Sequence, residues 1–136
     1  MADRLDEYRR KRDPARTPEP VPAGPLPRGD NDTFVIQQHH ARRLHWDLRL
    51  ERDGVLVSWA VPRGIPRDPQ RNHLAVHTED HPLEYAEFHG EIPAGEYGGG
   101  RMEIYDRGTY ATEKWQDDKV IVVLDGSRVT GRYALY

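Results

Sequence analysis

The stretch Leu44-His45-Trp46-Asp47-Leu48-Arg49-Leu50-Glu51 alternates without a break between apolar and polar residues. A period of two marks a β-strand with one face turned to a core. Leu44, Trp46, Leu48 and Leu50 read as that core face, and His45, Asp47, Arg49 and Glu51 project together from the other. Asp53-Gly54 follows, a dipeptide tolerant of positive φ and so a hairpin signal, with VLVSWAV (55–61) as the partner strand. Trp59 and Val61 alternate there as core residues. Working outward, TFVIQQ (33–38) and HLAVHT (73–78) are further β-prone runs. RMEIYDRGTYAT (101–112) reads as two strands around Asp106-Arg107-Gly108, and KVIVVLDGSRVTGRYALY (119–136) as a hairpin turning at Asp125-Gly126. Residues 62–72 read as a loop, DHPLEYAEF (80–88) as irregular or a helical turn, and EIPAGEYGGG (91–100) as a flexible turn. Many short strands joined by turns predict a mainly β protein, and a small antiparallel β-barrel is favoured because closure removes exposed edges.

The 136-residue length suits one domain with a modest core. Absence of cysteine excludes a disulfide scaffold, a thiolate zinc site and a thiol nucleophile. No apolar run approaches the roughly 18 residues of a membrane span, and the N-terminus is charged rather than signal-like, so a cytoplasmic protein is expected. The net charge of −3 argues against a non-specific nucleic-acid coat, although residues 1–50 are slightly basic and residues 51–136 acidic. Residues 3–13 (DRLDEYRRKRD) have the charge density of a short helix. Residues 15–32 are rich in Pro and Gly with little to pack, which reads as an extended arm or as a disordered tail. The expected division is an arm over residues 1–32 and a β core over residues 33–136.

The chemistry concentrates in QQHHARRLHWDLRL (37–50), and all seven histidines lie between His39 and His89. Strand alternation sets His45, Asp47 and Arg49 in one row, about 6 to 7 Å apart in succession. A turn at Ala41-Arg42-Arg43 would return the chain so that His39 joins them. Two imidazoles and one carboxylate form a three-ligand site with open positions, better suited to Mn, Fe, Co, Ni or Zn than to Ca or Mg. Arg49 beside it offers bidentate anion binding. The competing reading of the same row is the solvated side of a half-buried sheet. His81, next to Pro82, reads as a loop residue, functional or merely exposed. There is no Gly-x-Ser-x-Gly elbow, and Gly98-Gly99-Gly100 lacks the Lys and Ser/Thr of a P-loop.

HHARRLHWDLRLE (39–51), DGVLVSWAVPRG (53–64), LAVHTEDHPLEYAEFHGEIPAGEYGGG (74–100), YDRGTY (105–110) and the leader YRRKRDPARTPEP (8–20) together resemble the 3′-phosphoesterase domain of bacterial DNA ligase D, over roughly residues 5–136. The resemblance implies a small β-barrel with a manganese-supported site on a concave face; Co2+ or Zn2+ are the alternatives. It implies a metal-dependent nuclease-like hydrolase of non-homologous end joining. Such an enzyme removes a 3′-terminal ribonucleoside from a primer-template as a phosphodiesterase, then the 3′-phosphate as a phosphomonoesterase. Its partners would be DNA or DNA/RNA 3′ ends and the ligase, polymerase and Ku factors, with no membrane and the chain acting as a monomer. The end of the chain in GRYALY fits a stand-alone protein or part of a larger ligase.

Carried over by motif, the metal ligands match His39, His45 and Asp47, the phosphate-contacting arginine Arg49, the second-site histidine His81 and the tyrosine Tyr85. The leader contributes Arg12, Asp13 and Glu19, which implies that the arm folds over the site, and Gln37 and Glu79 are supporting polar positions. Two departures weaken the phosphomonoesterase expectation: Arg63 stands where the family commonly has Lys, and His73 where it often has Arg. In the implied chemistry Arg49 and Arg12 stabilise developing charge, His81 is a general acid or transition-state donor, and Tyr85 positions the phosphate. The rival readings are a non-catalytic nucleic-acid-end-binding β-barrel and a cupin-like metal enzyme acting on a small molecule.

Overall fold

A computed structural model describes residues 4–27 and 29–136. After one short helix, α1 (Asp6–Arg10), come eight strands: β1 (Thr33–His40), β2 (Leu44–Arg52), β3 (Val55–Val61), β4 (Val76–Pro82), β5 (Gly90–Ile92), β6 (Gly100–Gln116), β7 (Lys119–Gly126) and β8 (Thr130–Leu135). A 3-10 turn, Leu83–Glu87, separates β4 from β5. All pairings are antiparallel in the order β4-β3-β2-β1-β6-β7-β8, with β5 added to β6. The mainly β, antiparallel prediction holds. The sheet is not closed, because β4 and β8 end the order, so the barrel is an open one.

Alternation builds the two faces. Phe34 and Ile36 of β1, Leu48 and Leu50 of β2, Val55, Val57 and Trp59 of β3, and Val120, Val122 and Leu124 of β7 share one buried cluster. Burying a side chain of this size contributes about 1.5–3 kcal/mol. The intervening residues, Gln37, His39, Asp47, Arg49 and Ser58, point the other way and are buried as well. The solvated-face reading of that row is therefore overturned. Leu44, placed with the core by alternation, is instead exposed beside the β1–β2 turn.

The Asp53-Gly54 hairpin is as expected, with φ of 53° and 84° at the two residues. Two other turns are not where their dipeptides suggest. Asp106-Arg107-Gly108 lies inside the single 17-residue strand β6. Gly108 faces Gly126 across the β6–β7 pair, and a Cβ on Gly108 would come within 2.1 Å of the Asp125 carbonyl. A Cβ on Gly126 would come within 2.3 Å of the Asp106 carboxylate. These glycines permit close approach rather than a turn. The Asp106 carboxylate accepts the backbone N–H groups of Ser127, Arg128 and Val129 at 2.8–3.0 Å, which draws the β7–β8 turn two residues past Asp125-Gly126.

The arm is ordered against the sheet, so the disordered-tail alternative falls for residues 4–27. Leu5 and Tyr8 are buried, α1 packs on β4, Tyr8 Oη donates to the Pro20 carbonyl at 2.5 Å, and Arg9 Nε donates to the Pro22 carbonyl at 3.0 Å. These bonds fold the Pro-rich stretch back along the helix. Arm and 3-10 turn cover the second face through a smaller cluster of Tyr8, Leu56, Tyr85 and Met102.

Candidate active site

The β1–β2 hairpin sets His39 directly opposite His45, and Asp47 lies two residues further along the same face. The candidate ligand atoms of His39, His45 and Asp47 lie within 4.8 Å of one another. His39 Nδ1 is 3.2 Å from His45 Nε2 and 3.8 Å from Asp47 Oδ2, and His45 Nε2 is 3.2 Å from Asp47 Oδ1. Ligands about 2.0–2.2 Å from an ion stand roughly 2.8–3.1 Å apart in octahedral order and roughly 3.3–3.6 Å apart in tetrahedral order, so this trio fits a transition-metal ion with little adjustment. The outer ring nitrogens are already committed. His39 Nε2 donates to the Gly98 carbonyl at 2.8 Å, and His45 Nδ1 lies 3.3 Å from the Arg43 carbonyl. Such bonds to the far nitrogen orient metal-binding imidazoles and select their tautomer.

Electrostatics follow from burial and pairing. Burial lowers the His39 pKa, with Asp47 opposing. The hydrogen bond to Asp47 raises that of His45. Burial alone would raise the Asp47 carboxyl, but Arg49 and the two imidazoles outweigh it and hold it below its ordinary value.

Arg49 is fixed on three sides. Its Nη2 lies 3.4 Å from Asp47 Oδ2, its Nε donates to Gln37 Oε1 at 2.6 Å, and its guanidinium stands 4.7 Å over the Tyr85 ring. Gln37 Nε2 donates in turn to the carbonyls of Tyr85 and Phe88 at 2.7 and 3.1 Å. From the arm, Arg12 reaches Glu19 at 3.1 Å and Glu79 at 3.4 Å and stacks 3.8 Å over the Tyr8 ring. Tyr85 Oη donates to Glu19 Oε2 at 2.5 Å.

His81 is in β4 and buried, not in an exposed loop. Burial first, then the Arg49 and Arg12 charges, push its pKa well below the usual imidazole value. Its Nδ1 is 2.9 Å from the Glu79 carbonyl, so that nitrogen carries the proton and Nε2 keeps a lone pair. Burial and the two guanidiniums thus favour the neutral ring before any ligand binds. A bulge makes its placement possible. Between Leu56↔His81 and Ser58↔Thr78, two steps on β3 oppose three on β4. Thr78, Glu79 and His81 consequently all line one cavity, which strict alternation forbids.

That cavity, about 290 Å³, also collects Arg12, Glu19, His39, His45, Asp47, Arg49 and Tyr85. Gln37 lies beneath it and braces Arg49. Asp13 is exposed and accepts the Ala15 N–H at 3.0 Å, shaping the arm's turn outside the cavity. Arg63 is exposed, and His73, with Nδ1 2.7 Å from the Gly64 carbonyl, lines a separate cavity near β8. Sequence reasoning missed Tyr97 and Gly98. The glycine-rich stretch read as a plain turn, and only the folded chain shows its carbonyl on His39.

Comparison with known proteins agrees with this geometry. The family model described as "DNA Ligase D 3'-phosphoesterase domain" matches residues 37–136. The chain is 63% identical over 139 residues to the "Multifunctional non-homologous end joining DNA repair protein LigD" of Mycobacterium tuberculosis (strain CDC 1551 / Oshkosh), covering 99% of the chain and 18% of that protein. It is 58% identical over 146 residues to the "Multifunctional non-homologous end joining protein LigD" of Mycolicibacterium smegmatis, covering 99% of the chain and 19% of that protein. It is 46% identical over 139 residues to the protein of the same description from Pseudomonas aeruginosa, covering 96% of the chain and 16% of that protein. The chain thus spans less than a fifth of the length of these relatives.

Proposed function

Because the chain belongs to the DNA ligase D 3′-phosphoesterase family, we propose that it is a metal-dependent hydrolase that trims 3′ ends during non-homologous end joining. Its substrates on this reading are DNA or DNA/RNA primer-template ends. It first removes a terminal ribonucleoside and then the 3′-phosphate left behind. The observation that carries the reading is the convergence of His39, His45 and Asp47 with two buried guanidiniums, Arg12 and Arg49, in one cavity.

The charges match the task. Arg12, Arg49 and Lys11 are offset by Glu19, Glu79 and Asp47, so a bound divalent cation leaves a positive surplus for a phosphate ester. When bound, an ion such as Mn2+ supplies Lewis-acid polarisation of a phosphoryl oxygen and a more acidic water. His39, His45 and Asp47 would hold it. Arg49, braced by Gln37, stabilises charge that grows on the non-bridging oxygens, and Arg12 does so from the arm. Tyr85 orients Arg49 through its ring and is itself held by Glu19. His81 starts neutral, takes a proton at Nε2 as water adds to phosphorus, and returns it to the departing oxygen. In the first step the bond to the nucleoside 5′ oxygen breaks; in the second, the bond to the primer 3′ oxygen.

Arg63 and His73 do not line the cavity, and on this reading they contact the nucleic-acid strand rather than the reacting phosphate. Ligase, polymerase and Ku factors are the expected partners, with the chain working as a monomer on broken DNA ends, associated with the nucleoid in a prokaryotic cytoplasm. Among the described residues no helix is long and apolar enough to cross a membrane.

The test strips the protein with chelator, restores Mn2+, and offers one primer-template ending in a ribonucleotide and one ending in a 3′-phosphate. Metal-dependent shortening and dephosphorylation, both lost in His45→Ala, are expected. Intact substrate under Mn2+, Co2+ and Zn2+, with end binding retained, would instead establish the non-catalytic end-binding module.

A further inference from the structure

The aromatic rings around the cavity divide into two kinds. Tyr85 lines it at 1% exposure, with the fully buried Tyr8 ring packed edge-on behind Tyr85, whereas Tyr97 at its mouth is 46% exposed. Tyr97 is nonetheless held in place. Its segment is closed by the Glu96 N–H to the Pro93 carbonyl at 3.1 Å and the Gly99 N–H to the Glu96 carbonyl at 3.0 Å. The next residue, Gly98, has a φ of 77°, and its carbonyl receives the His39 Nε2 hydrogen bond. The phenol oxygen lies 3.5 Å from Glu79 Oε2 and 3.4 Å from Lys11 Nζ. Lys11 Nζ and the Arg12 guanidinium stand 4.8 and 5.1 Å from the ring centroid. The position of this ring is thus tied to a metal-ligating imidazole on one side and to the arm cations on the other.

Proteins that hold single-stranded ends combine cations that track phosphate with exposed aromatic rings on which bases stack. Both components are present here, within one cavity and beside the position of the reacting phosphate. We propose that Tyr97 is the stacking platform for the base of the terminal nucleoside, so that the site distinguishes 3′ ends carrying a nucleoside from ends carrying only a phosphate. This rests on the reading under Proposed function for where the phosphate sits. Stacking uses the π-face that every base has, so the platform accepts all four bases and favours purines.

The test uses the full chain and three primer-templates, ending in a ribonucleoside, in an abasic ribose and in a 3′-phosphate. Affinity is read by fluorescence anisotropy with chelator present, so a failure of catalysis leaves the measurement intact. Cleavage KM and kcat are read separately with Mn2+. Tyr97→Leu should weaken binding of the nucleoside end about 5- to 100-fold more than binding of the abasic or 3′-phosphate ends. Tyr97→Phe, which keeps the ring and loses the hydroxyl contacts, should restore the preference, and Tyr97→Trp should meet or exceed it. Equal losses on all three ends would assign Tyr97 to supporting Lys11 and Arg12 and overturn the proposal. An unchanged preference in Tyr97→Leu would overturn it too.

Discussion

Gln37 Oε1 accepts a 2.6 Å hydrogen bond from Arg49 Nε across the β1–β2 pair, although in register Gln37 faces Asp47 rather than Arg49. The bond is diagonal, and the same amide donates to two carbonyls of the 3-10 turn region. One side chain therefore fixes the guanidinium and the segment that carries Tyr85. Gln37→Ala strips the buried Arg49 Nε of its acceptor and the Phe88 carbonyl of its side-chain donor, at about 1–3 kcal/mol for each group left unsatisfied, while the Tyr85 carbonyl keeps the Phe88 N–H at 3.0 Å. Lower urea stability and a fall in kcat larger than the rise in KM are expected. Gln37→Glu keeps the acceptor for Arg49 but sets a carboxylate against the carbonyls, so it should retain more kcat while remaining unstable.

The arm is joined to the site through Glu19, which accepts from Tyr85, Arg12 and Thr17. Glu19→Gln and Tyr85→Phe should each destabilise, and together by less than the sum of the two. A coupling of about 1–2 kcal/mol in a double-mutant cycle by urea unfolding is the expected result. Strict additivity would mean that the contact contributes nothing.

Stability should fall with acid in a way that His81 contributes to. Its folded pKa is depressed well below 6.5, so below about that pH the unfolded chain binds a proton that the folded chain does not. The stability is complete above pH 6.5 and is lost as pH falls toward the folded value, by at most about 1.4 kcal/mol per pH unit. His81→Asn should flatten this part of the pH–stability curve. Denaturation midpoints from pH 7.5 to 5 for both proteins measure it, and parallel curves would remove His81 from the account.

Manganese should raise the melting temperature, because an ion held by the folded state alone stabilises it by about 2.7 kcal/mol at a hundred times its Kd. The increment should vanish in His45→Ala and Asp47→Ala. It should also shrink as pH falls through the raised pKa of His45, since the metal must displace that proton. Calorimetry with and without the ion, at two pH values, is the check.

Asp106 supplies a control away from the chemistry. Burial opposes its ionisation, but four backbone N–H groups outweigh that and hold its pKa below the usual carboxylate value. Asp106→Ala should loosen the β7–β8 turn and cost several degrees of melting temperature. Single-turnover chemistry, measured where the variant is fully folded, should be preserved.

Strand alternation in residues 44–51, the Asp53-Gly54 turn and the His39, His45 and Asp47 grouping were legible because each depends on neighbours in sequence or on one hairpin. Local pattern was enough to announce antiparallel β structure and a row of imidazole, carboxylate and guanidinium. It misread Gly108 and Gly126, because what crowds them is Asp106 and the facing strand, which no dipeptide records. It had no access to the β4 bulge that gathers Thr78, Glu79 and His81, to the Gly98 carbonyl that orients His39, or to the burial that keeps His81 neutral. Those features join residues distant along the chain, such as Tyr85 and Glu19 at 66 positions apart. Desolvation and cross-strand contact are properties of the packed chain. The sequence therefore determined which groups are available for chemistry, and only the tertiary structure decided which of them meet and in which protonation state.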